Sequence, residues 1–270
     1  MKIKAFTVDS FTDKPFQGNP AGVCLLDTAI SEDLMQSIAK EFNLSETAFV
    51  LKNDHQNNHY SIRYFTPTVE IDFCGHATLA ASKVLMSEEK HDYVNFTTHK
   101  ALKLSATKEE ESVLMNFPLF DTKAYKVNQR LLDAFGITNP MAIQFAEALD
   151  MLVIEVENKE ALLAIKPDYQ EALESSDQVK ELVVTTKSED NDFDFYSRCF
   201  CPWIGINEDP VTGASHSVLA KYWSEKLNRK ELSAYQLSER GGYLDLKITD
   251  PSTLEVRSNA CIVFKGSLAI

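Results

Sequence analysis

The hydrophobic and polar positions in the first half of the chain predict short strands with two helices among them. Runs such as KIKAFTV, TAFVL and YSIRYFT are rich in β-branched and aromatic residues, and several show the alternation of a half-buried strand. In SEDLMQSIAKEF, apolar residues recur at helical spacing behind Ser31, a favourable N-cap residue. HATLAASKVLMSEE predicts a second helix, whose small side chains suit a helix enclosed by strands.

The second half repeats this order. FPLFDTKAYKV lacks periodicity and is interpreted as a crossover, after which QRLLDAFG predicts a short helix and MLVIEV, ELVVTT and DFYSRCFC predict strands. ASHSVLAKYWSEKL predicts a long helix, and AYQLSE, YLDLKI, TLEVRS and CIVFKGSLAI predict closing strands. NDHQNNHY and KSEDNDFD are typical of solvated loops. The predicted fold class is α+β, with two antiparallel sheets, each curled around its own helix.

Two similar segments indicate that the halves arose by internal duplication. FCGHATLAASKVL and PVTGASHSVLAKYWSEKL each pass from a polar turn with one glycine directly into a helix, and Gly75 and Gly213 lie about half the chain apart. We therefore predict an N-terminal domain over residues 1–118 and a C-terminal domain over residues 119–258. We predict a last strand over residues 259–270, which either returns to the first domain or stays outside it.

The two helix starts are the first candidate for a functional site. Each helix start leaves backbone N–H groups without intrahelical partners and carries a partial positive charge. Two such starts brought face to face would bind an anion. The side chains predicted to crowd them are His76, Asp209, Thr212, Ser215 and His216.

The composition and charge of the chain limit the classes of protein to which it can belong. The chain has 270 residues, of which 44% are hydrophobic and 25% charged, as in ordinary soluble proteins. A net charge of -13 and a pI near 4.9 argue against nucleic-acid binding, because no run of basic residues is present. No stretch is apolar and long enough for a signal peptide or a membrane span. We expect a cytoplasmic protein with neither nucleic-acid nor membrane partners.

The cysteines favour free thiols over a disulfide framework or a metal site. There are five of them, an odd number without regular spacing, which suits a reducing compartment. Cys199 and Cys201 share one face of a predicted strand, but no second Cys/His pair with zinc-site spacing follows. The sequence therefore predicts no metal and no cofactor.

Three residues are candidates for catalysis, each with a structural alternative. Glu46 stands between a helix and an apolar strand, where burial would move its pKa toward neutrality and suit proton transfer; alternatively it completes a turn. His76 begins a helix, where the neutral imidazole is favoured; alternatively its role is structural. Asp209 precedes a Pro near a helix start, where an Asx-turn is the competing interpretation.

Taken together, several segments closely resemble the phenazine-biosynthesis PhzF-like isomerase family. They are DSFTDKPFQGNPAGVCLL, SETAFV, RYFTPTVEIDFCGHATLAAS and EDPVTGASHSVLAKYW, which span nearly the whole chain in the family's order. The resemblance implies the diaminopimelate-epimerase-like fold, with two pseudo-symmetric barrel domains and an active site in the cleft between them. It also implies proton transfer without a cofactor.

The resemblance implies a role for each candidate residue. Glu46 corresponds to the general acid/base that takes a proton from one carbon of a small cyclic amino acid and returns it to another. His76 and Asp209 match positions that hold hydroxyl, amine or carboxylate groups of the substrate and assist the proton shift. The predicted substrate-binding positions are Asn19, Cys74, Gly75, Thr212, Gly213, Ala214 and Ser215.

The chain departs from its relatives at two places. Ala214 stands where the phenazine enzymes have an active-site serine, and Ser215 is shifted by one position, which turns a helical side chain by about 100°. Related racemases use two cysteines, one at each helix start; Cys74 occupies the first place but Thr212 the second. A two-thiol mechanism lacks one partner, so Glu46 remains the predicted proton carrier and Cys74 is interpreted as a packing residue.

The leading hypothesis is a cofactor-independent isomerase that moves a proton and a double bond in a small carboxylate-bearing substrate, of the dihydro-hydroxyanthranilate type. One alternative is an amino-acid racemase or epimerase that uses Cys74 with a non-thiol partner. Another is a catalytically silent protein that binds a small acid, for which Ala214 is the favouring feature. Exposed edge strands and the resemblance favour a homodimer.

Overall fold

The structure is a computed structural model that describes residues 2–53, 58–190 and 192–270. The chain divides into two units, Met1–Asn116 together with Val256–Ile270, and Phe117–Glu255. The corresponding divisions predicted from the sequence were 118/119 and 258/259. The predicted loops over 53–60 and 187–194 include residues 54–57 and 191, which lie outside the described residues.

The strands and helices follow the predicted order, with several short additional elements. The strands are β1 (Lys2–Ser10), β2 (Asn19–Leu26), β3 (Glu46–Lys52), β4 (His59–Phe65), β5 (Glu70–Ile71), β6 (Tyr93–Thr98), β7 (Lys103–Glu109), β8 (Ser112–Pro118), β9 (Lys123–Ala124), β10 (Ala142–Ala146), β11 (Met151–Glu155), β12 (Glu181–Lys187), β13 (Phe195–Cys201), β14 (Ile206–Asp209), β15 (Glu231–Gln236), β16 (Gly242–Asp250), β17 (Thr253–Ser258) and β18 (Ala260–Ala269). The helices are α1 (Glu32–Phe42), α2 (Gly75–Glu88), α3 (Gln129–Ala134), α4 (Lys159–Leu163), α5 (Tyr169–Ser175) and α6 (Gly213–Leu227).

The pairing of the strands corrects one part of the predicted fold. Strand β1 pairs antiparallel with β2 and β18, and β6, β7 and β8 pair antiparallel in sequence. However, β2 pairs with β3 and β4 with β6 in parallel, and so do β11 with β12 and β13 with β15 in the second unit. Parallel neighbours need a crossover, and α1, α2, α4 with α5, and α6 lie within these four connections. The barrels are therefore mixed, not antiparallel throughout.

Helix α2 is the central helix of the first unit, as the small residues of its sequence predicted. It contacts β1, β2, β3, β6, β7 and β18, and its buried residues point to every side. Ala77, Ala80 and Ala81 are fully buried. Because alanine adds little radius, strands can approach this helix from several directions at once.

Helix α1 covers the opposite face of the same strands. Ser31 caps it by accepting a hydrogen bond from the Leu34 amide, which confirms the predicted helix start. Met35, Ile38 and Ala39 pack against a core that includes Phe49 of β3. Strand β3 is thus covered on both faces, which explains why its residues read as a continuous apolar run without alternation.

Replacing Ala81 by leucine should destabilise the first unit. The side chain is fully buried in α2, so the added carbons would displace neighbouring strands, at a cost of about 1–3 kcal/mol. The matched control is Ser87→Leu, an exposed position on the same helix. Urea unfolding measures both changes. Equal free energies of unfolding for the two variants would contradict the enclosed-helix description.

Helix α6 occupies the corresponding place in the second unit. It contacts β15 and β16, and Trp223 stacks on Phe195 of β13 with ring centroids 5.8 Å apart. On the other face of the sheet, α3, α4 and α5 contribute Leu131, Leu162 and Ala172 to a second apolar core. Within the described ranges, no helix combines the length and apolar character needed to cross a membrane.

Candidate active site

Three of the predicted site residues come together at the start of α2. Glu46 is the first residue of β3, and Cys74 is the N-cap of α2, with His76 in the first turn. The three side chains are buried, with Glu46 at 9% exposure, His76 at 7% and Cys74 at 8%. The parallel crossover through α1 returns the chain to the sheet so that Glu46 lies beside Ala21 of β2.

The imidazole of His76 lies between a carboxylate and a thiol. Its Nε2 is 3.2 Å from Oε2 of Glu46 and 3.4 Å from Oγ of Ser45. Its Nδ1 is 3.3 Å from Sγ of Cys74. When Glu46 is ionised, Nε2–H donates to the carboxylate and Nδ1 accepts from the thiol. The imidazole can therefore form hydrogen bonds with both neighbours at once.

Burial raises the pKa of the Glu46 carboxyl group above its ordinary value. Desolvation is the larger cause, since it penalises the charged form, while the hydrogen bond from Ser45 opposes it. The direction is the one expected from the apolar strand that follows Glu46. A raised pKa makes the ionised carboxylate a stronger base, which suits a group that accepts a proton and then returns it.

This raised pKa gives a pH-dependent stability that can be measured. Between its unfolded value near 4.5 and its folded value, Glu46 binds more protons in the folded state, so stability falls as pH rises through that window. Glutamine at position 46 does not titrate, so Glu46→Gln removes this loss of stability. The free energy of unfolding of the variant, relative to wild type, should rise with pH across the window by about 1.4 kcal/mol per unit of pKa shift.

Urea unfolding at about pH 4 and about pH 8 measures this difference, since pH 4 lies below the unfolded pKa of Glu46 and the loss of stability develops as pH rises above it. Glu41→Gln is the matched control, because Glu41 is exposed on the preceding helix. A pH-independent difference between Glu46→Gln and wild type would show that the carboxyl group is not perturbed.

Buried hydrogen bonds hold the start of α2 in place. Ser10 Oγ donates to the carbonyl of His76 at 2.8 Å, and Thr78 Oγ1 donates to the carbonyl of Cys74 at 2.7 Å. Tyr64 and Thr78 share a further bond of 2.6 Å between their hydroxyl groups. Asn19 begins β2 opposite Ser10 and is fully buried. The groups around His76 are thus fixed by the sheet and not by a loop.

In the second unit, Asp209 and Thr212 form a pair at the start of α6. Asp209 ends β14 and Thr212 is the N-cap of α6. The Thr212 hydroxyl donates to Oδ2 of Asp209. Gln236, fully buried at the end of β15, accepts from the Thr212 amide at 3.0 Å and donates to the Asp209 carbonyl at 2.7 Å. These two hydrogen bonds of Gln236 therefore hold the turn between β14 and α6 in place.

Both long helices begin without a side-chain cap. Among the described residues, neither Cys74 nor Thr212 makes the N-cap hydrogen bond that Ser31 makes for α1. The start of a helix carries backbone N–H groups and a partial positive charge that attract a carboxylate. Gly75 and Gly213 occupy the first helical position of their helices.

The Ser215 hydroxyl, for which the sequence predicted a substrate-binding role, is turned into α6. It is fully buried, and its hydroxyl donates to the carbonyl of Thr212 at 2.9 Å within the helix. Ala214, the residue before it, is partly exposed. The one-position shift has turned the hydroxyl into the helix, so Ser215 does not substitute for a serine at position 214.

His216 is a buried structural histidine. Its Nδ1–H donates to the carbonyl of Thr212 at 2.7 Å, and its ring lies over Phe195 with centroids 6.1 Å apart. Complete burial lowers its pKa to about 4, so the imidazole is neutral near pH 7. Its role is to fix the carbonyl at the start of α6.

Two clusters bring metal-ligating atoms together. In the first, atoms of Glu46, Cys74 and His76 lie within 4.8 Å of one another. In the second, the same holds for Glu181, Cys199 and Cys201 in the second unit, where Cys199 is the strand partner of Asp209.

The sequence did not identify Ser45, Gln236 or Glu181 as neighbours of the candidate residues. Ser45 adjoins a candidate residue, but Gln236 and Glu181 reach their places only through strand pairing.

The comparisons with known proteins agree with the fold and with the motifs. The model of a family described as phenazine biosynthesis-like protein matches residues 8–266. A phenazine biosynthesis-like domain-containing protein of Bos taurus is 39% identical over 287 residues, covering 99% of each chain. An uncharacterized isomerase of Halalkalibacterium halodurans is 41% identical over 252 residues, covering 92% of each chain.

A solved structure resembles this chain over its full length. The crystal structure of a phenazine biosynthesis protein of the PhzF family from Enterococcus faecalis has a TM-score of 0.92 at 35% identity, covering 100% of both chains. This likeness confirms the predicted fold class, the diaminopimelate-epimerase-like fold, with the mixed strand pairing described above.

Proposed function

Because the chain belongs to the phenazine biosynthesis-like protein family, we propose that it is an isomerase that moves a proton within a small carboxylate-bearing substrate, without a cofactor. A relative that is 41% identical is named an uncharacterized isomerase, which supports the reaction class. The proposed substrate is a cyclic amino-acid-like acid of the dihydro-hydroxyanthranilate type. The fold alone does not set the chemistry, so the proposal rests on the site.

The observation that carries the proposal is the contact between Glu46 and His76. Nε2 of His76 lies 3.2 Å from Oε2 of Glu46, and burial raises the pKa of that carboxyl group. A general base must accept a proton and then release it, which is efficient when its pKa lies close to the operating pH. Burial supplies this shift, and His76 supplies an orienting partner.

The reaction conserves every atom of the substrate. Ionised Glu46 takes a proton from one carbon, and the electron pair of the broken C–H bond moves into the adjacent π system. The double bond shifts, and the carboxylic acid of Glu46 returns a proton to a different carbon. His76 donates a hydrogen bond to the Glu46 carboxylate or to a polar group of the substrate.

The uncapped helix starts are the proposed carboxylate-binding groups. The N–H groups that follow Cys74 in α2 and Thr212 in α6 are those an anion would contact. Asp209 is proposed to accept a hydrogen bond from a substrate hydroxyl or amine, with its carboxylate oriented by Thr212. At the start of α2 these N–H groups would hold the substrate beside Glu46, which carries the proton.

A panel of small cyclic acids in heavy water tests the reaction class. The panel contains a dihydro-hydroxyanthranilate, proline and hydroxyproline, and NMR follows the loss of carbon-bound protium. We expect exchange or isomerisation of at least one member of the dihydro-hydroxyanthranilate type. If ligands bind but none of their carbons exchanges, the chain is a small-acid-binding protein and the proposal is wrong.

The Cys74 thiol favours a second candidate function. Sγ lies 3.3 Å from Nδ1 of His76, so the thiol faces a base and not only apolar neighbours. It also occupies the N-cap of α2, where the helix field stabilises a thiolate. An amino-acid racemase or epimerase could use this thiol on one face of the substrate, with Glu46 as the non-thiol partner.

Replacing Cys74 by alanine separates the two candidates. Under the isomerase proposal the thiol contributes one neutral hydrogen bond, so kcat should fall by no more than about tenfold. The measurement is the exchange rate of the responsive acid, with Cys24→Ala as a matched buried cysteine control. Loss of activity in Cys74→Ala alone, together with substrate protection against thiol alkylation, would favour the racemase or epimerase.

A further inference from the structure

A second group of reactive side chains lies in the sheet of the second unit, where Cys199 is the strand partner of Asp209. Cys199 and Cys201 belong to β13, and Glu181 is the first residue of β12. The two strands pair antiparallel with Leu182 opposite Phe200, so Glu181 comes next to Cys201. One ligand atom from each of the three residues lies within 4.8 Å of the other two.

The two thiols lie on the same face of β13, since the side chains of residues i and i+2 in a strand point the same way. Here the sulfur atoms are only 3.6 Å apart, and the pairing of β13 with β14 shifts register between Cys199 and Cys201. Both residues are buried, at 0% and 2% exposure. The irregular pairing therefore accompanies two converging thiols inside the sheet.

The carboxylate beside the thiols has an oxygen without a protein partner. Oε2 of Glu181 is buried and makes no hydrogen bond with any residue in the described part of the chain. A buried carboxylate oxygen normally has a hydrogen-bond donor or a cation beside it. The two sulfur atoms lie within 4.8 Å of a carboxylate oxygen of Glu181, and thiolates are themselves ligands for soft cations.

We propose that Glu181, Cys199 and Cys201 bind one thiophilic divalent cation of the Zn²⁺ class. Two sulfur ligands of a tetrahedral zinc ion, each at about 2.3 Å, lie about 3.8 Å apart. The observed separation of 3.6 Å needs little adjustment. Binding displaces the two thiol protons to solvent, and the carboxylate supplies a third ligand. Water completes the coordination, as in zinc sites with three protein ligands.

The sequence alone indicated no metal here, because Cys199-Phe-Cys201 is followed by no second ligand pair. The third ligand comes instead from β12, which precedes β13 and reaches the thiols by strand pairing. The cation would thus join two neighbouring strands. A ligand that binds only the folded state stabilises it, by about 2.7 kcal/mol at a concentration 100 times its Kd.

Cobalt titration of the full-length reduced protein tests this site. Co²⁺ bound by thiolates absorbs strongly in the near ultraviolet, and Zn²⁺ should displace it with a stoichiometry of one per chain. We expect Cys199→Ser and Cys201→Ser to abolish this absorption, and Glu181→Gln to weaken binding at least about tenfold, the loss of roughly 1.4 kcal/mol. Cys24→Ser is the matched control and should leave the absorption unchanged, because Cys24 is a buried free cysteine outside both metal-ligating clusters, and Cys74→Ser tests the other cluster.

Three results would overturn the proposal. The first is a lack of cobalt absorption in the reduced wild type, and the second is absorption that is lost only in Cys74→Ser. The third is a protein isolated with Cys199 and Cys201 joined by a disulfide that still binds no metal after the disulfide is reduced. Mass spectrometry detects the disulfide as a loss of two hydrogen atoms. Circular dichroism of each metal-free variant checks folding, and Glu181→Gln provides the test if a serine variant does not fold.

Discussion

Replacing Glu46 by glutamine is expected to lower kcat by roughly 10²- to 10⁴-fold, the usual contribution of a positioned general base. Glutamine has the size of glutamate, and its carbonyl oxygen can still accept from His76 Nε2, which lies 3.2 Å from the carboxylate. It cannot take up a proton from carbon. The fold and substrate binding should therefore persist while the chemical step is lost.

Steady-state kinetics on the acid identified in heavy water measure this loss. KM should change much less than kcat, because the proposed role of Glu46 is at the reacting carbon and not at the carboxylate of the substrate. Glu41→Gln, on the exposed end of α1, is the matched control and should retain wild-type kcat. A variant Glu46→Gln with wild-type kcat would remove Glu46 from the mechanism.

Replacing Trp223 by alanine should produce the largest loss of stability in the second unit. Trp223 is 1% exposed, and its ring is parallel to that of Phe195 within 14° at 5.8 Å. Its Nε1 donates to Thr185 Oγ1 at 2.9 Å. The cavity and the lost hydrogen bond to Thr185, whose hydroxyl still donates to the Tyr196 carbonyl, should together lower the free energy of unfolding by about 3–5 kcal/mol.

Urea unfolding of Trp223→Ala and Trp223→Phe separates these contributions. Phenylalanine keeps an aromatic ring against Phe195 but has no N–H for Thr185, so its loss should be smaller than that of alanine. Leu227→Ala, at the end of the same helix and outside the buried set, is a control for helix propensity. A loss below about 1 kcal/mol for Trp223→Ala would contradict its place in the core.

Local sequence signals predicted much of this fold because several elements depend on nearby residues. Ser31 and the apolar spacing behind it define α1, and the small residues of α2 match its enclosure by strands. The short helices α4 and α5 were missed, although Asn158 and Asp168 cap them with their side chains. Such helices have too few turns to show a periodic pattern, so only the cap residues marked them.

Features that depend on strand pairing were not predictable from local pattern. Parallel and antiparallel neighbours can have the same apolar run when both faces of a strand are covered, as in β3. Gln236 and Glu181 are distant in sequence from the residues they contact. Their roles follow from β15 and β12 lying beside β13, which no spacing in the sequence reveals.

The candidate site was predicted in part because its residues stand at element boundaries. Glu46 begins β3, Cys74 caps α2 and Asp209 ends β14, and such positions place side chains at the edge of a core. The direction of the Ser215 hydroxyl was less accessible to sequence reasoning. Helical geometry gave its rotation relative to Ala214, but only the structure shows the hydrogen bond to Thr212.

The central claim is that Glu46 carries the proton of the substrate, and solvent exchange tests it most directly. In heavy water, wild type and Cys74→Ala should both place deuterium on the newly protonated carbon, at rates within about tenfold of each other. Glu46→Gln should place it there at least about 10²-fold more slowly. Deuterium incorporation by Glu46→Gln at the wild-type rate would contradict the account.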